Sequence, residues 1–292
     1  HLHASATLVA HQVALGETSE DPGALMNLLG GTVKIARVLG QKRTWEASDF
    51  VPYLIPEQGN RVVFGLSTYG ADIRVGALPG DIKEELASRG ISARYITPKH
   101  GEELTSVVIT KQGVEELVLV GGSETIAAKT VAVQPFEAWN ERDYGRPYSD
   151  AAAGMLPPKV ARMIVNIARA PLARSHLARQ GETLLNPTLL DPFCGMGTIV
   201  AEALLTGWNG IGSDVNGEIV AKAIKNIAWV SEKFPAQGTA RFFTSDATHV
   251  SGVLGGEKVD AIVTEPFMGS TTIATKAASG RVNMEAVQNT LK

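Results

Sequence analysis

The stretch that decides the fold is Leu189-Leu190-Asp191-Pro192-Phe193-Cys194-Gly195-Met196-Gly197-Thr198. An apolar run turns through a Gly-x-Gly loop into the helical pattern Ile199 to Leu205. Glycine lets the backbone approach a ligand closely, and free N–H groups at the helix start favour polar or anionic ligand atoms. The stretch therefore predicts a nucleotide-binding strand, loop and helix.

Three more short apolar runs follow, and each ends in a polar residue. Gly210 to Asp214 ends in a carboxylate 23 residues after Asp191, where a Rossmann-like unit has the acid that binds ribose. Arg241 to Asp246 also ends in an acid, and Val259 to Thr264 leads into Glu265-Pro266-Phe267. Ligands bind at the carboxyl ends of strands in an open α/β sheet, so we expect these four strand ends to meet at one crevice.

The residues around the loop distinguish between two possible cofactors. An NAD site expects G-x-G-x-x-G/A, and Val200 occupies the position where a small residue is needed. The loop and the acids after it instead resemble the amino-group branch of class I S-adenosylmethionine-dependent methyltransferases. The resemblance implies S-adenosylmethionine as cofactor. Its predicted contacts are Asp191, Phe193, Gly195, Gly197 and Thr198 in the loop, Asp214 at the ribose and Asp246 at the adenine amine.

The Glu265-Pro266-Phe267 segment fits transfer to an exocyclic amine of a nucleobase. The lone pair of such an amine is delocalised into the ring, so a carboxylate that accepts its N–H bonds helps transfer, and an aromatic face holds the base by stacking. The resembled family usually has Asp or Asn, Pro-Pro and an aromatic residue. Aligned on Gly269, Phe267 replaces the second proline and Met268 takes the aromatic place. The alternative is a strand end closed by a proline turn.

Composition bounds the class of protein. The chain has 292 residues, 44% hydrophobic and 20% charged, enough for two domains and a sizeable core. No apolar run reaches the roughly 20 residues that span a bilayer, so we expect a cytoplasmic protein with no membrane partner. The single cysteine, Cys194, is predicted to be a packing residue, and the six histidines show no metal-site spacing. We predict no metal site.

The net charge of −3 argues against a simple nucleic-acid binder, although a local basic patch matters more than the sum. Two basic segments are candidates for such a patch. They contain Lys34, Arg37, Lys42 and Arg43, and Arg142, Arg146, Lys159 and Arg162. The ordinary alternative for each is a solvated face.

The first half of the chain has a different pattern from the second. Short strands alternate with one or two helices, which indicates a small α+β domain. We predict strands at Val62 to Ser67, Ile91 to Ile96, Ser106 to Thr110, Leu117 to Val120 and Thr130 to Val133, with a helix from Asp81 to Arg89. Prolines and glycines then interrupt the periodicity between Gln134 and Pro158, which predicts a linker before a helix over Lys159 to Ala170.

The amino-terminal half and the linker resemble the THUMP-containing tRNA guanosine-N2-methyltransferases. The likeness lies in Leu29 to Ala36, Phe64 to Gly70, Gly90 to Tyr95, Lys129 to Gln134, Arg142 to Pro147 and Gly154 to Lys159. It implies a ferredoxin-like segment (1–55), a THUMP-like RNA-binding domain (56–134), a linker (135–158) and a Rossmann-like methyltransferase domain (159–292), hence an α/β fold preceded by a small α+β domain.

The resemblance also implies roles for residues in and around the linker. The THUMP-like domain would hold the acceptor end of tRNA, with Lys34, Arg142 and Arg146 as weak candidates for RNA contacts. Pro157 and Lys159 would lie near the cofactor, because this segment precedes the helix that covers it. For Arg142, Asp143 and Arg146, an ion-pair cluster between domains is an equally good interpretation.

The preferred hypothesis is an enzyme that transfers a methyl group to the N2 amine of a tRNA guanosine, with Glu265, Pro266 and Phe267 at the target base. A second hypothesis is an RNA- or cofactor-binding fragment without activity. Only 26 residues follow Pro266, so we expect an incomplete sheet that is truncated at the carboxyl end and open to self-association. A third hypothesis is a methyltransferase that modifies an amino group of DNA or of another RNA.

Overall fold

The chain forms two compact units, with the boundary between Phe136 and Glu137. The amino-terminal unit is His1–Phe136 and the carboxyl-terminal unit is Glu137–Lys292. The computed structural model describes residues 6–10, 12–70, 73, 75–99, 102–149, 155–177 and 186–266. The predicted domain extents stay predictions.

The amino-terminal unit contains a two-stranded and a five-stranded sheet. The first pairs β1 (Ala6–Ala10) with β2 (Val13–Gly16). The second has the order β3-β7-β6-β4-β5, with β4 parallel to both of its neighbours. Its strands are β3 (Lys34–Lys42), β4 (Arg61–Tyr69), β5 (Ser92–Ile96), β6 (Glu115–Val120) and β7 (Thr125–Val133). The helices are α1 (Pro22–Leu28), α2 (Ala47–Phe50), α3 (Leu78–Ser88) and α4 (Ser106–Gln112).

The core of this unit forms where helices cover the sheet. Phe50, Phe64, Ile82, Leu86 and Leu117 are buried in one cluster. Strand β4 is buried along most of its length because it lies between β6 and β5, and this explains its nearly continuous apolar sequence.

The predicted strand Ser106 to Thr110 is wrong, because these residues begin helix α4. The hydroxyl of Thr105 accepts a hydrogen bond from Val108 N, and Gly113 ends the helix in the left-handed conformation with φ 59°. These two caps outweigh the strand preference of the β-branched run between them.

The predicted linker also contains regular structure. Helix α5 (Phe136–Tyr144) occupies its first part and buries Trp139 and Arg142, which are three residues apart and therefore share a face. Because an arginine takes one of the buried positions, the apolar periodicity that would have indicated this helix is missing from the sequence.

The carboxyl-terminal unit has a parallel sheet in the order β10-β9-β8-β11, which confirms the predicted α/β class. Its strands are β8 (Thr188–Asp191), β9 (Asn209–Asp214), β10 (Ala240–Thr244) and β11 (Ala261–Ile262). Its other helices are α6 (Pro158–Leu177), α7 (Thr198–Leu204), α8 (Gly217–Lys233) and α9 (Val250–Leu254). All four strands predicted here are therefore present, and the helix predicted from Lys159 to Ala170 is the first part of α6.

Helix α7 is buried from Ile199 to Leu204. Ile199 and Ala203 pack with Val165 of α6, while Val200 and Leu204 belong to a second cluster that includes residues of α8. The helix after the glycine loop is thus enclosed by its neighbours, which fixes the loop's position above the sheet.

The described residues contain no helix that is both long and apolar enough to span a bilayer. Within the same ranges no three His, Cys, Asp or Glu side chains are grouped so as to hold a metal ion.

Candidate functional site

The polar residues predicted at the strand ends do gather at one edge of the parallel sheet. Strand β8 ends at Asp191 and β9 at Asp214, and the register pairs Asp191 with Gly212 and Asp214 with Thr244. Asp246 follows β10 by two residues, and Glu265 follows β11. Because the strands are parallel neighbours, these ends share the carboxyl edge.

The glycine loop connects β8 to α7 through two residues in the left-handed region. Gly195 has φ 50° and Gly197 has φ 83°, conformations that non-glycine residues rarely adopt. Cys194 N donates to the carbonyl of Ser213 at 2.8 Å, and Gly197 N donates to the carbonyl of Cys194 at 2.8 Å. The loop is therefore held against β9 while it turns into the helix.

Asp191 is an interior acid. Its side chain is buried, and its Oδ1 accepts hydrogen bonds from Phe193 N at 3.2 Å and from Thr264 Oγ1 at 2.6 Å. The pKa of Asp191 is raised to about 7, mainly by burial and also by the charges of Asp214 and Glu265, while the two hydrogen bonds oppose the rise. Its contacts are those of a residue that orders the loop.

Asp214 is oriented by backbone donors. Its Oδ2 accepts from Gly195 N at 3.3 Å and its Oδ1 accepts from Asn216 N at 2.9 Å. The Asn216 side chain caps α8 by accepting from Glu218 N and Ile219 N. The carboxylate is therefore fixed between the glycine loop and the start of α8.

Asp246 is exposed beyond the end of β10. Its Oδ1 accepts from Thr248 Oγ1 at 2.6 Å and from Thr248 N at 2.8 Å. These two hydrogen bonds lower the pKa of Asp246, so the group stays a carboxylate at neutral pH. No described residue donates to its other oxygen, Oδ2.

Glu265 and Pro266 are exposed, and Phe193 in the glycine loop is 44% exposed. The predicted stacking residue Phe267, together with Met268 and Gly269, lies outside the described residues. Cys194 is buried, and burial together with the charges of Asp191 and Asp214 raises the pKa of its thiol, as expected for a packing residue.

Two of the predicted RNA contacts belong instead to a buried charge cluster within the carboxyl-terminal unit. Arg142 Nε donates to Glu202 Oε1 at 2.8 Å, and Arg162 Nη2 lies 2.6 Å from Glu202 Oε2. Arg146 Nη1 donates to Thr198 Oγ1 at 2.8 Å and its side chain is 5% exposed. We therefore withdraw Arg142 and Arg146 as phosphate contacts, since neither guanidinium reaches the surface.

Lys34 is also withdrawn as an RNA contact. Its ammonium pairs with Glu116 at 2.7 Å in the amino-terminal unit, and only 9% of its side chain is exposed. Ser67 and Thr130 donate to the same carboxylate. The group is thus part of an internal network that links four strands.

Pro157 and Lys159 lie at the start of α6, where the carbonyl of Pro157 accepts from Val160 N at 2.9 Å. The Lys159 ammonium is 5.9 Å from the centre of the Trp139 ring. Between them, Pro158 lines a cavity of about 20 Å³ together with Met196, Gly197 and Thr198. Pro158 is therefore adjacent to the glycine loop, and the contact of Pro157 and Lys159 with a cofactor stays a prediction.

Sequence reasoning missed Thr264 and Glu202. In the sequence Thr264 is only the end of a predicted strand, and its position beside the predicted acid Glu265 is the one signal that it partners another carboxylate, Asp191. Glu202 gave no signal, because its two arginine partners are 40 and 60 residues away along the chain.

Comparison with known proteins gives a consistent set of relatives. No family model matches the chain. The chain is 34% identical over 122 residues to a tRNA (guanine(10)-N2)-dimethyltransferase of Methanocaldococcus jannaschii. The aligned region covers 41% of this chain and 30% of that protein. The chain is also 27% identical over 202 residues to the protein of the same name from Methanothermobacter thermautotrophicus. That aligned region covers 68% of this chain and 51% of the other protein.

The chain thus spans about a third to a half of the length of these curated relatives. Among solved structures, a SAM-dependent methyltransferase from Agrobacterium tumefaciens matches at 17% identity and a TM-score of 0.29, over 39% of this chain and 33% of that one. A TM-score this far below 0.5 adds nothing to what the topology and the sequence relatives show.

Proposed function

We propose that this protein transfers a methyl group from S-adenosylmethionine to the exocyclic N2 amine of a guanosine in tRNA. The observation that carries the proposal is the set of acids at one edge of the parallel sheet, where Asp214 ends β9 and Asp246 and Glu265 follow β10 and β11, beside a glycine loop. The sequence likeness to tRNA (guanine(10)-N2)-dimethyltransferases supports the choice of tRNA and of the amine.

The chemistry of these residues fits the cofactor. Asp214, fixed by Gly195 N and Asn216 N, would accept hydrogen bonds from ribose hydroxyls. Asp246 Oδ2 would accept from the adenine amine, while Asp191 keeps the loop in place. An ideal Cβ built on Gly195 meets no atom within 4 Å, so the turn of the loop is open to a ligand. When bound, S-adenosylmethionine supplies an electrophilic methyl group.

Glu265 would act on the substrate amine. Its carboxylate would accept a hydrogen bond from the N2 amine and so direct the nitrogen lone pair at the methyl carbon. The carboxylate would then receive the amine proton as the C–N bond forms and the methyl–sulfur bond breaks, with S-adenosylhomocysteine as the leaving group. Exposure of Glu265 and Pro266 beyond β11 leaves room for a base that has been unstacked from the RNA. Correct placement of the amine should provide most of the rate.

Cofactor binding is tested first, by calorimetric titration of S-adenosylhomocysteine into the full chain and into Asp214→Ala. We expect binding that is at least about tenfold weaker in the variant, since a charge-assisted hydrogen bond is lost. The matched control is Glu218→Ala, an exposed acid in the first turn of α8. Absence of binding in folded protein contradicts the cofactor assignment.

Methyl transfer is tested with radiolabelled S-adenosylmethionine and tRNA transcripts. Replacing guanosine by inosine removes the N2 amine, and we expect incorporation to stop. Glu265→Gln should lower turnover with little effect on S-adenosylhomocysteine binding. If the cofactor binds but neither tRNA nor any other RNA or DNA is methylated, the chain is a binding fragment without activity.

A further inference from the structure

Asn226 of helix α8 joins the glycine loop to the segment that follows helix α5. Its side chain is buried and makes three hydrogen bonds to backbone groups. The Nδ2 group donates to the carbonyls of Met196 and Tyr148, each at 3.0 Å, and Oδ1 accepts from Tyr148 N at 3.0 Å. Both hydrogens of the amide are therefore used to hold two backbone segments together.

Arg146 makes a second bond between this segment and the loop. Its Nη1 donates to Oγ1 of Thr198, the first residue of α7, at 2.8 Å. Nη2 of the same guanidinium is buried without a hydrogen-bond partner among the described residues, and it lies 3.6 Å from Asp143 Oδ1. A buried guanidinium that is only partly satisfied costs free energy, so stability alone does not explain an arginine here. A restraint on Thr198 is a role that would offset this cost.

Packing around this half of the loop is incomplete. The cavity of about 20 Å³ that adjoins Gly197 and Thr198 is also lined by Arg146 and Asn226. Gly197 has no side chain and a φ of 83°, so it has no rotamer that could anchor it. Groups beside a void lose contact atoms on one side. The bonds of Asn226 and Arg146 therefore add a restraint that packing does not supply.

The other half of the loop is held by an acid of the candidate site. Asp214 accepts from Gly195 N at 3.3 Å, so the bonds of Asp214 and Asn226 fall on consecutive loop residues, Gly195 and Met196. A loop that is restrained from both sides has its backbone prearranged for a ligand, which reduces the entropy lost on binding. Loss of the Asn226 or Arg146 bonds should therefore weaken cofactor binding, although both side chains are buried.

We propose that Arg146 and Asn226 are positioning residues for the cofactor. They hold Thr198 and Met196 to the segment that follows α5, and so keep the glycine loop in the conformation that binds S-adenosylmethionine. The inference rests on the proposed function for the identity of the cofactor, and it adds residues that lie away from the strand ends. Because coupling between two equilibria is reciprocal, cofactor binding should in turn stabilise the segment 145–149.

Calorimetric titration of S-adenosylhomocysteine into variants of the Arg146–Thr198 bond tests the proposal. We expect Arg146→Met and Thr198→Val each to weaken binding about tenfold, because the released loop would adopt the binding conformation only about a tenth of the time. Thr198→Ser keeps the hydroxyl and should bind within about twofold of the parent chain. The double variant Arg146→Met/Thr198→Val should bind no more weakly than either single variant, since both changes remove one bond. Losses that multiply in the double variant overturn the proposal.

A second pair of variants separates positioning from stability. Asn226→Leu removes all three amide bonds with a side chain of similar size, and we expect a loss of affinity at least as large. Thr206→Val is the matched control: this hydroxyl, just beyond the end of α7, donates to the carbonyls of Glu202 and Ala203, both at 3.0 Å. Thr206→Val should lower the melting temperature and leave the affinity for S-adenosylhomocysteine within about twofold. An equal loss of affinity in Thr206→Val and Asn226→Leu contradicts a positioning role.

Hydrogen exchange provides a readout that a merely structural role would not move. We expect saturating S-adenosylhomocysteine to slow exchange of Tyr148 N–H, the donor to Asn226, in the parent chain. In Asn226→Leu this N–H has lost its acceptor, so its exchange should be fast with or without the cofactor. Exchange in the parent chain that does not respond to bound S-adenosylhomocysteine overturns the proposed coupling.

The parent chain distinguishes this proposal from the proposed function. Absence of S-adenosylhomocysteine binding in the folded parent chain overturns both. Binding in the parent chain that Arg146→Met, Thr198→Val and Asn226→Leu all leave within about twofold overturns the positioning role alone. Thermal melting identifies any variant that does not fold, and the remaining variants then decide.

Discussion

Thr264 Oγ1 donates a 2.6 Å hydrogen bond to Oδ1 of the buried Asp191. The bond joins the last residue of β8 to the segment that follows β11, and it therefore ties the start of the glycine loop to the residue before Glu265. Two parts of the candidate site that are far apart in sequence are held in register by one hydroxyl group.

Removing that hydroxyl should destabilise the protein. Thr264→Val keeps the shape of the side chain but leaves the buried carboxylate with one donor fewer, so we expect the free energy of unfolding to fall by about 1–3 kcal/mol. Urea denaturation followed by tryptophan fluorescence measures it. Thr248→Val, which removes a hydroxyl from the exposed Asp246, is the control and should change stability by less than about 0.5 kcal/mol. Equal effects in both would contradict this account.

The raised pKa of Asp191 predicts a specific pH dependence. Its pKa is about 7 in the folded protein against a reference value of 3.8, so between these values the folded state holds a proton that the unfolded state has lost. The contribution of Asp191 to stability is therefore greatest below the lower value and falls as pH rises toward 7, by roughly 4 kcal/mol at most.

Asp191→Asn tests this sign. The variant has no titratable group at the position, so its free energy of unfolding should fall less steeply than that of the parent chain between the two pKa values. Denaturant titrations at several pH values across this interval give both slopes. Parallel slopes would show that the Asp191 carboxyl ionises normally in the folded state.

Glu202 should be essential for stability, because it balances two buried guanidinium groups. Glu202→Gln leaves Arg142 and Arg162 without a counter-charge, and we expect a loss of about 3–5 kcal/mol in the free energy of unfolding. Glu141→Gln, which breaks an exposed ion pair with Lys233, is the matched control and should cost less than about 1 kcal/mol. The two variants can be compared in one set of urea titrations.

Gly212 should tolerate no side chain. A Cβ there would lie 2.5 Å from the Phe242 ring and 3.1 Å from Cys194 Cβ, so Gly212→Ala is expected to cost about 1–3 kcal/mol. Gly252→Ala in α9 is the control, because its Cβ meets no atom within 4 Å and alanine favours a helix by up to about 1 kcal/mol. Thermal melting distinguishes the two. A neutral Gly212→Ala would show that β9 and the loop can move apart.

The parallel sheet was predictable because its strands have a simple local pattern. Strands β8, β9 and β10 are short apolar runs that end in or just before an acid. A strand buried on both faces of a parallel sheet has such a nearly continuous apolar sequence, so the local pattern is enough to predict it. Helix α4 was not predictable in this way, since its β-branched residues favour a strand locally and only the caps at Thr105 and Gly113 decide for a helix.

The sequence by itself determined which residues stand at the ends of the strands, because a strand's polar terminus is a local property of the chain. The roles of the charged residues were decided only by the tertiary structure. Arg142 and Lys34 look alike in the sequence as solvated or RNA-binding cations, yet each is buried against a carboxylate distant in sequence, Glu202 and Glu116. Pairing and burial depend on residues brought together by folding, and no local pattern encodes them.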